Sequence, residues 1–184
     1  MLEPEFHDVL AGACDGANWA WRRLIDGIAG PMLGYFRSQG ASEPEDLLSE
    51  VLVQLARHLD TFTGDEKAFR SWAFTVAHSR IIDDRRHQRR HPVDPVASVD
   101  PLVPAQEDVT SAEVIDTIGA DGVRRLIERL VPAQRDVLLL RIVAGLTVPE
   151  VAAAVARSEG AVKALQRRGL LALSKLVDSE GIPR

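Results

Sequence analysis

The sequence predicts an all-α protein made of two small helical domains joined by a flexible, proline-rich acidic linker. Three observations carry that expectation. Apolar residues recur at helical spacing on both sides of a central break, and helix-start signals precede them. The break itself, residues 92–112, holds Pro92, Pro95, Pro101 and Pro104 and has no helical period. Each proline lacks an amide donor and biases its predecessor away from the helical region. Acidic charge keeps such a segment extended, with a reach of up to roughly 70 Å. Domains over 1–91 and 113–178, with a linker at 92–112, follow.

In the first half, Trp19 to Phe36 reads as a helical segment interrupted near Gly30-Pro31, with Trp19, Trp21, Tyr35 and Phe36 in the core. Ser42-Glu43-Pro44-Glu45 fits a capping box. Leu47, Leu48, Val51, Leu52, Leu55 and Leu59 then form one apolar stripe, opposite a polar ridge of Glu50, Gln54 and Arg57. After a turn at Thr63-Gly64-Asp65, a helix from about Ala68 to Arg90 buries Phe69, Trp72, Val76 and one or both of Ile81 and Ile82, then becomes basic.

In the second half, Pro132 suits the first position of a helix, and Gly145 the position just past its end. Thr147-Val148-Pro149-Glu150 is a second capping box, opening a short helix through Val155. Ala156-Arg157-Ser158 is a tight connection, and Ser158 caps a longer helix to about Val177. Two helices across a three-residue turn, the second one basic, make a helix-turn-helix. On a helical wheel Val162, Leu165, Gln166, Gly169, Leu173 and Leu176 share one side. Gly160, Lys163, Ala164 and Arg167 share the other, with Arg168 at the flank. Small residues beside long cations allow close approach to a DNA groove.

Composition narrows the function classes. Of 184 residues 46% are hydrophobic, which excludes wholesale disorder. No apolar run approaches the roughly 20 residues that cross a bilayer, and no basic segment followed by an apolar run opens the chain. A single cysteine, Cys14, excludes an internal disulfide framework and a Cys-x-x-Cys site. A soluble, cytoplasmic protein is expected. The net charge of −5 hides a pattern: −7 over 1–69, +4 over 70–91, −6 over 92–120 and +5 over 121–177. Two basic blocks between acidic stretches suggest two anion-binding surfaces, although solvated helix faces give the same pattern. Catalysis finds little support. His87 and His91 stand four apart near His78, Asp83 and Asp84, but the flanking arginines repel a metal cation. The Gly-x-Ser-x-Gly and Gly-Lys-Ser/Thr phosphate-loop patterns are missing. No cofactor and no small-molecule substrate are expected.

The chain resembles the extracytoplasmic-function sigma factors of bacterial RNA polymerase. Four fragments carry the likeness, in order, across the linker. Glu45 to Val51 is similar to their region 2.2, Phe69 to Ala77 with Ile82-Asp83 to regions 2.3–2.4, Leu130 to Arg141 to the opening of region 4, and Ser158 to Lys163 to the start of the −35-reading helix. The resemblance implies a dissociable initiation subunit. Asp46, Glu50 and Gln54 would dock the clamp helices of the largest polymerase subunit, and region 4 would meet the flap of the second largest. The alternative reading of the same three residues is a solvated helix face.

Ser79, Arg80, Arg85, Arg86, Arg89 and Arg90 would meet the −10 element, where base extrusion needs help from cations on adjoining phosphates. The Phe62–Ala68 loop would wall the base pocket. Ser158, Glu159, Gly160, Lys163, Ala164 and Arg167 would meet the −35 element. Asp83 is expected as an ion-pair partner within its own helix. Three departures leave base preference open: Ser79 stands where the family commonly has Asn, Arg157 where it has an apolar residue, and Leu165 where many members have Arg. The resemblance also implies an anti-sigma partner, often membrane-anchored. The competing reading is a self-sufficient helix-turn-helix regulator whose N-terminal half is a sensor or dimerisation domain.

Overall fold

The computed structural model describes residues 6–90 and 125–179, and every regular element within them is helical. The first unit contains α1 (Phe6–Cys14), α2 (Asn18–Ser38), α3 (Pro44–His58), a 3-10 turn (Leu59–Thr61) and α4 (Glu66–Arg90). The second contains α5 (Pro132–Ile142), α6 (Val148–Ala154) and α7 (Glu159–Ser179), and residues 125–128 are also helical. The expected linker, and the expected start of the second domain up to residue 124, lie outside the described residues.

Ala20, Leu24, Ile28, Met32, Tyr35 and Phe36 recur every three or four residues, so α2 buries one stripe. The expected interruption at Gly30-Pro31 is absent, and α2 runs through Pro31 unbroken. Pro31 leaves the Gly27 carbonyl without its in-helix donor. Arg70 of α4 brings Nη1 to that carbonyl at 3.4 Å, so tertiary packing covers the defect. Trp19 also departs from expectation. It is 60% exposed, lying over Gly12 of α1 in the first turn of α2, whereas Tyr35 and Phe36 are fully buried.

The capping box expected at Ser42 and Glu45 does not form, and α3 starts at Pro44 without a side-chain cap. The Glu45 carboxylate is drawn instead to Arg37 at 2.7 Å, and Ser42 Oγ accepts from Gln88 at 3.5 Å. Pro44 suffices there, because its fixed φ is preset for a helix and its missing donor costs nothing in the first turn. Leu47, Val51, Leu55 and Leu59 are buried, with Leu48 and Leu52 packed at their edge. Helix α4 begins two residues earlier than expected because Asp65 Oδ1 accepts from the Ala68 amide at 2.7 Å and caps it. Phe62 and Phe69 then cluster with Trp72, the Phe62 and Trp72 rings stacked with centroids 5.2 Å apart.

The second unit follows its local signals closely. Pro132 opens α5, and Gly145 adopts φ +71° just past its end. The Thr147 amide and hydroxyl both donate to Glu150 Oε2 at 2.6 Å. The connection to α7 passes through Ala156 at φ +51°, a left-handed turn held by the helices on either side. Ser158 Oγ accepts from the Ala161 amide at 3.2 Å, as expected of a cap. Val162, Leu165, Gly169, Leu173 and Val177 are buried. Gly169 lets α7 approach α5 closely: a Cβ there would stand 2.8 Å from Leu138 Cδ1 and 3.4 Å from Gln134 Cβ. Leu138 is itself only 1% exposed, so its displacement would push on the surrounding core. Overpacking costs about 1–3 kcal/mol, against a helix-propensity gain of up to about 1 kcal/mol. Gly169→Ala is therefore expected to lower the urea midpoint by a net destabilisation of up to about 2 kcal/mol; a raised midpoint would show that the helices separate freely.

Candidate nucleic-acid interface

Helix α4 is apolar in its first half and cationic in its second, a change set by the sequence Phe69 to Ile82 followed by Asp83 to Arg90. Phe69, Ala73, Phe74, Val76, Ala77 and Ile81 are buried, while Ser79 and Arg86 are exposed. Arg86 pairs with Asp83 at 3.1 Å, the internal ion pair expected of that aspartate. Arg89 and Arg90 close α4, and their side chains lie outside the described ones.

The remaining arginines are engaged. Arg80 donates through Nη2 and Nε to Gln54 Oε1 at 2.8 and 3.2 Å, and its Nη1 stands 4.0 Å from Glu50. The ridge of Asp46, Glu50 and Gln54 on α3 and the basic end of α4 thus share one edge. Arg85 donates to Asp136 of α5 at 2.9 Å, and Gln39 donates to the same carboxylate oxygen at 3.1 Å. The second Arg85 nitrogen donates to Gln39 Oε1. Arg70 donates to the Val143 and Ala144 carbonyls at 2.9 and 2.8 Å, just past the end of α5. The two helical units are therefore docked on each other across α4.

Charge at this joint is finely placed. Tyr35 Oη and His78 Nδ1 form a buried hydrogen bond of 2.9 Å. Burial pushes the Tyr35 phenol above its ordinary value and the His78 imidazolium below its own; nearby Asp136 pulls His78 upward without reversing the shift, and Arg85 adds to it. Burial would raise the Glu150 carboxyl, but hydrogen bonds from Thr147, with help from Lys67 and Ser71 of α4, hold it below the ordinary carboxylate range. Asp136, Gln39 and Tyr35 were not singled out as site residues from sequence. One signal was available: Asp136 is an acid directly ahead of four apolar residues in a buried helix.

The other basic face lies open. Ser158, Glu159, Gly160, Lys163, Ala164, Arg167 and Arg168 are all exposed along one side of α7. Leu165, at a position where Arg would have been a candidate DNA contact, is buried. Among the described residues, no group of three His, Cys, Asp or Glu is placed to hold a metal; His91 lies outside them. No helix among them is long and apolar enough to cross a membrane.

Sigma-70 region 2 matches residues 19–91, and sigma-70 region 4 matches residues 120–173. The chain belongs to the sigma-70 family, within its extracytoplasmic-function branch. It is 30% identical to the sigma factor BldN of Streptomyces coelicolor over 79% of its own length and 55% of the length of BldN. It is 28% identical to SigD of Mycobacterium tuberculosis, over 94% of this chain and 84% of that one. The fold is similar to that of CnrH, solved in complex with the cytosolic domain of CnrY, at a TM-score of 0.64, 22% identity, and coverage of 93% and 96%. It is also similar to RpoE of Bartonella quintana, solved with the anti-sigma factor NepR, at a TM-score of 0.62, 17% identity, and coverage of 85% and 96%.

Because His78 is held neutral, the unfolded chain binds its proton more readily, so stability rises with pH across the window between the lowered folded value and the ordinary value of about 6.5. The urea midpoint of the wild type is expected to fall as pH drops below about 6.5. In His78→Gln that portion of the decline should disappear; parallel curves for the two proteins would show that His78 carries no such load.

Proposed function

We propose that this chain is an initiation subunit that joins core RNA polymerase, directs it to particular promoters and assists opening at the −10 element. The observation that carries this reading is α7: its cations, Lys163 and Arg167, flank Ala164 on the exposed face, while the opposite face is fixed in the core by Val162, Leu165 and Gly169. Small residues between long cations let a helix lie in the major groove and reach phosphates or base edges. A second cationic surface on α4, in a region 2 match, argues against a sensor domain and therefore against a self-sufficient regulator.

Asp46, Glu50 and Gln54 are assigned to the polymerase clamp helices, and region 4 to the flap of the second-largest subunit. Ser79, Arg80, Arg85, Arg86, Arg89 and Arg90 are assigned to the −10 element, and the face from Ser158 to Arg167 to the −35 element. The domains span 1–91 and 113–178, with residues 92–112 between them. The bond-making chemistry belongs to the polymerase, so the chain works without catalysis or cofactor, in the cytoplasm. Complexes of CnrH with CnrY and of RpoE with NepR support an inhibitory protein partner here as well.

Core polymerase reconstituted with this protein should yield a restricted set of transcript starts, mapped by sequencing their 5′ ends. Lys163→Ala should weaken promoter recruitment and make the log–log salt slope shallower by about 0.9, the signature of one lost phosphate contact. Glu50→Lys should weaken binding to core polymerase, measured by co-elution, without touching α7. A wild-type protein that dimerises and binds duplex tightly without core enzyme would overturn the reading.

A further inference from the structure

Gln54 and Arg80 face each other from backbones that the core holds in place. Val51 and Leu55 are buried on α3, and Ala77 and Ile81 are buried on α4. The Arg80 guanidinium turns all three of its nitrogens toward α3. Nη2 and Nε donate to Gln54 Oε1 at 2.8 and 3.2 Å, and Nη1 stands 4.0 Å from Glu50 Oε2. Burial, and then the charge of Glu50, raise the Asp84 carboxyl, so acids crowd this edge and Arg80 brings a cation to it. A carboxamide has one oxygen acceptor and two N–H donors. With the Gln54 oxygen engaged by two nitrogens of one planar fork, the group is held in one orientation. A partner is then offered the Gln54 N–H donors beside the Glu50 carboxylate.

We infer that Arg80 is a positioning residue for polymerase docking, fixing the Gln54 carboxamide and offsetting the Glu50 charge before the clamp helices arrive. This rests on the assignment of Asp46, Glu50 and Gln54 to that contact. It adds a polymerase-side role to a residue assigned above to the −10 element. A long side chain that is free in solution must be ordered when a partner binds, and that ordering lowers affinity. A side chain already held by its neighbour avoids the loss. Neighbouring acids also repel more strongly once a partner excludes water, and a cation beside them offsets the repulsion. The face so prepared suits a helical partner that brings cations to the carboxylates and oxygen acceptors to Gln54. Lysine is a poor replacement at position 80, because a compact ammonium cannot present a rigid fork to Gln54 and Glu50 together.

The test uses the full chain and core polymerase. Wild-type protein labelled at Cys14, its single cysteine, is displaced from core by unlabelled variants and followed by fluorescence anisotropy. Arg80→Met, which keeps the aliphatic stem, should bind core roughly 3- to 10-fold more weakly, the cost of ordering Gln54 afresh. Arg80→Lys should recover only part of that loss. In a Gln54→Ala background, Arg80→Met should cost little more, because the group it positions is gone. Arg80→Gln provides a second variant should Arg80→Met lower the urea midpoint. Full core affinity in both Arg80 variants, with Glu50→Lys still weakened, overturns the inference alone. A loss that adds in full to that of Gln54→Ala also overturns it, since Arg80 would then act independently of Gln54. Unchanged core affinity in Glu50→Lys and Gln54→Ala as well overturns it by placing the failure in the assignment of the α3 ridge to the polymerase.

Discussion

A guanidinium and a carboxylate meet where water reaches little of either, and the way the two helical units sit together depends on that meeting of Arg85 with Asp136. Removing such ions from water costs several kcal/mol each, which good geometry roughly returns, whereas deleting one partner of a buried pair costs about 3–5 kcal/mol. The pair is thus a strong constraint on arrangement and a weak source of net stability. Gln39 completes it, donating to Asp136 and accepting from Arg85 with one carboxamide. Tyr35 and His78, both biased by burial toward their neutral forms, satisfy each other beneath it.

Helix α4 is the element on which every other part converges. Its first half is cemented by aromatic packing of Phe69 and Trp72 against Phe62, and of Phe74 against Tyr35. Arg70 then serves three carbonyls at once, two past the end of α5 and one left open by Pro31 in α2. Further along, Arg80 reaches the polar ridge of α3 and Arg85 reaches α5. One helix therefore touches the assigned polymerase face, the assigned −10 face and region 4.

The helix-turn-helix reaches its shape by a different route, through short-range chemistry. Thr147 with Glu150, and Ser158 with the Ala161 amide, set where α6 and α7 begin. Gly145 turns the chain after α5, and Gly169 permits the close crossing of α7 over α5. These devices act within a few residues or across one helix contact, and they leave the face from Gly160 to Arg167 exposed apart from Ala161, Val162, Leu165 and Gln166. The two basic surfaces accordingly differ: the cations of α7 are exposed, whereas on α4 Arg86 is exposed, Arg80 is bound to Gln54 and Arg85 to Asp136.

Local signals in the sequence were enough for the helical class, the positions of α3 to α7, the caps at Thr147 and Ser158, and the division of α7 into buried and cationic faces, because each depends on residues a turn or two apart. They place Trp19 in the core, a break at Pro31 and a capping box at Ser42, and each outcome is decided instead by a contact from outside the helix concerned: Gly12 of α1, the Arg70 guanidinium, and Arg37 of α2 competing for Glu45. They also could not show that Arg85 faces Asp136 across 51 positions, or that Arg80 turns toward Gln54. Charge along a chain says that a side chain needs an anionic partner. Only the tertiary structure says which of several anions it meets, because that choice rests on how whole helices pack.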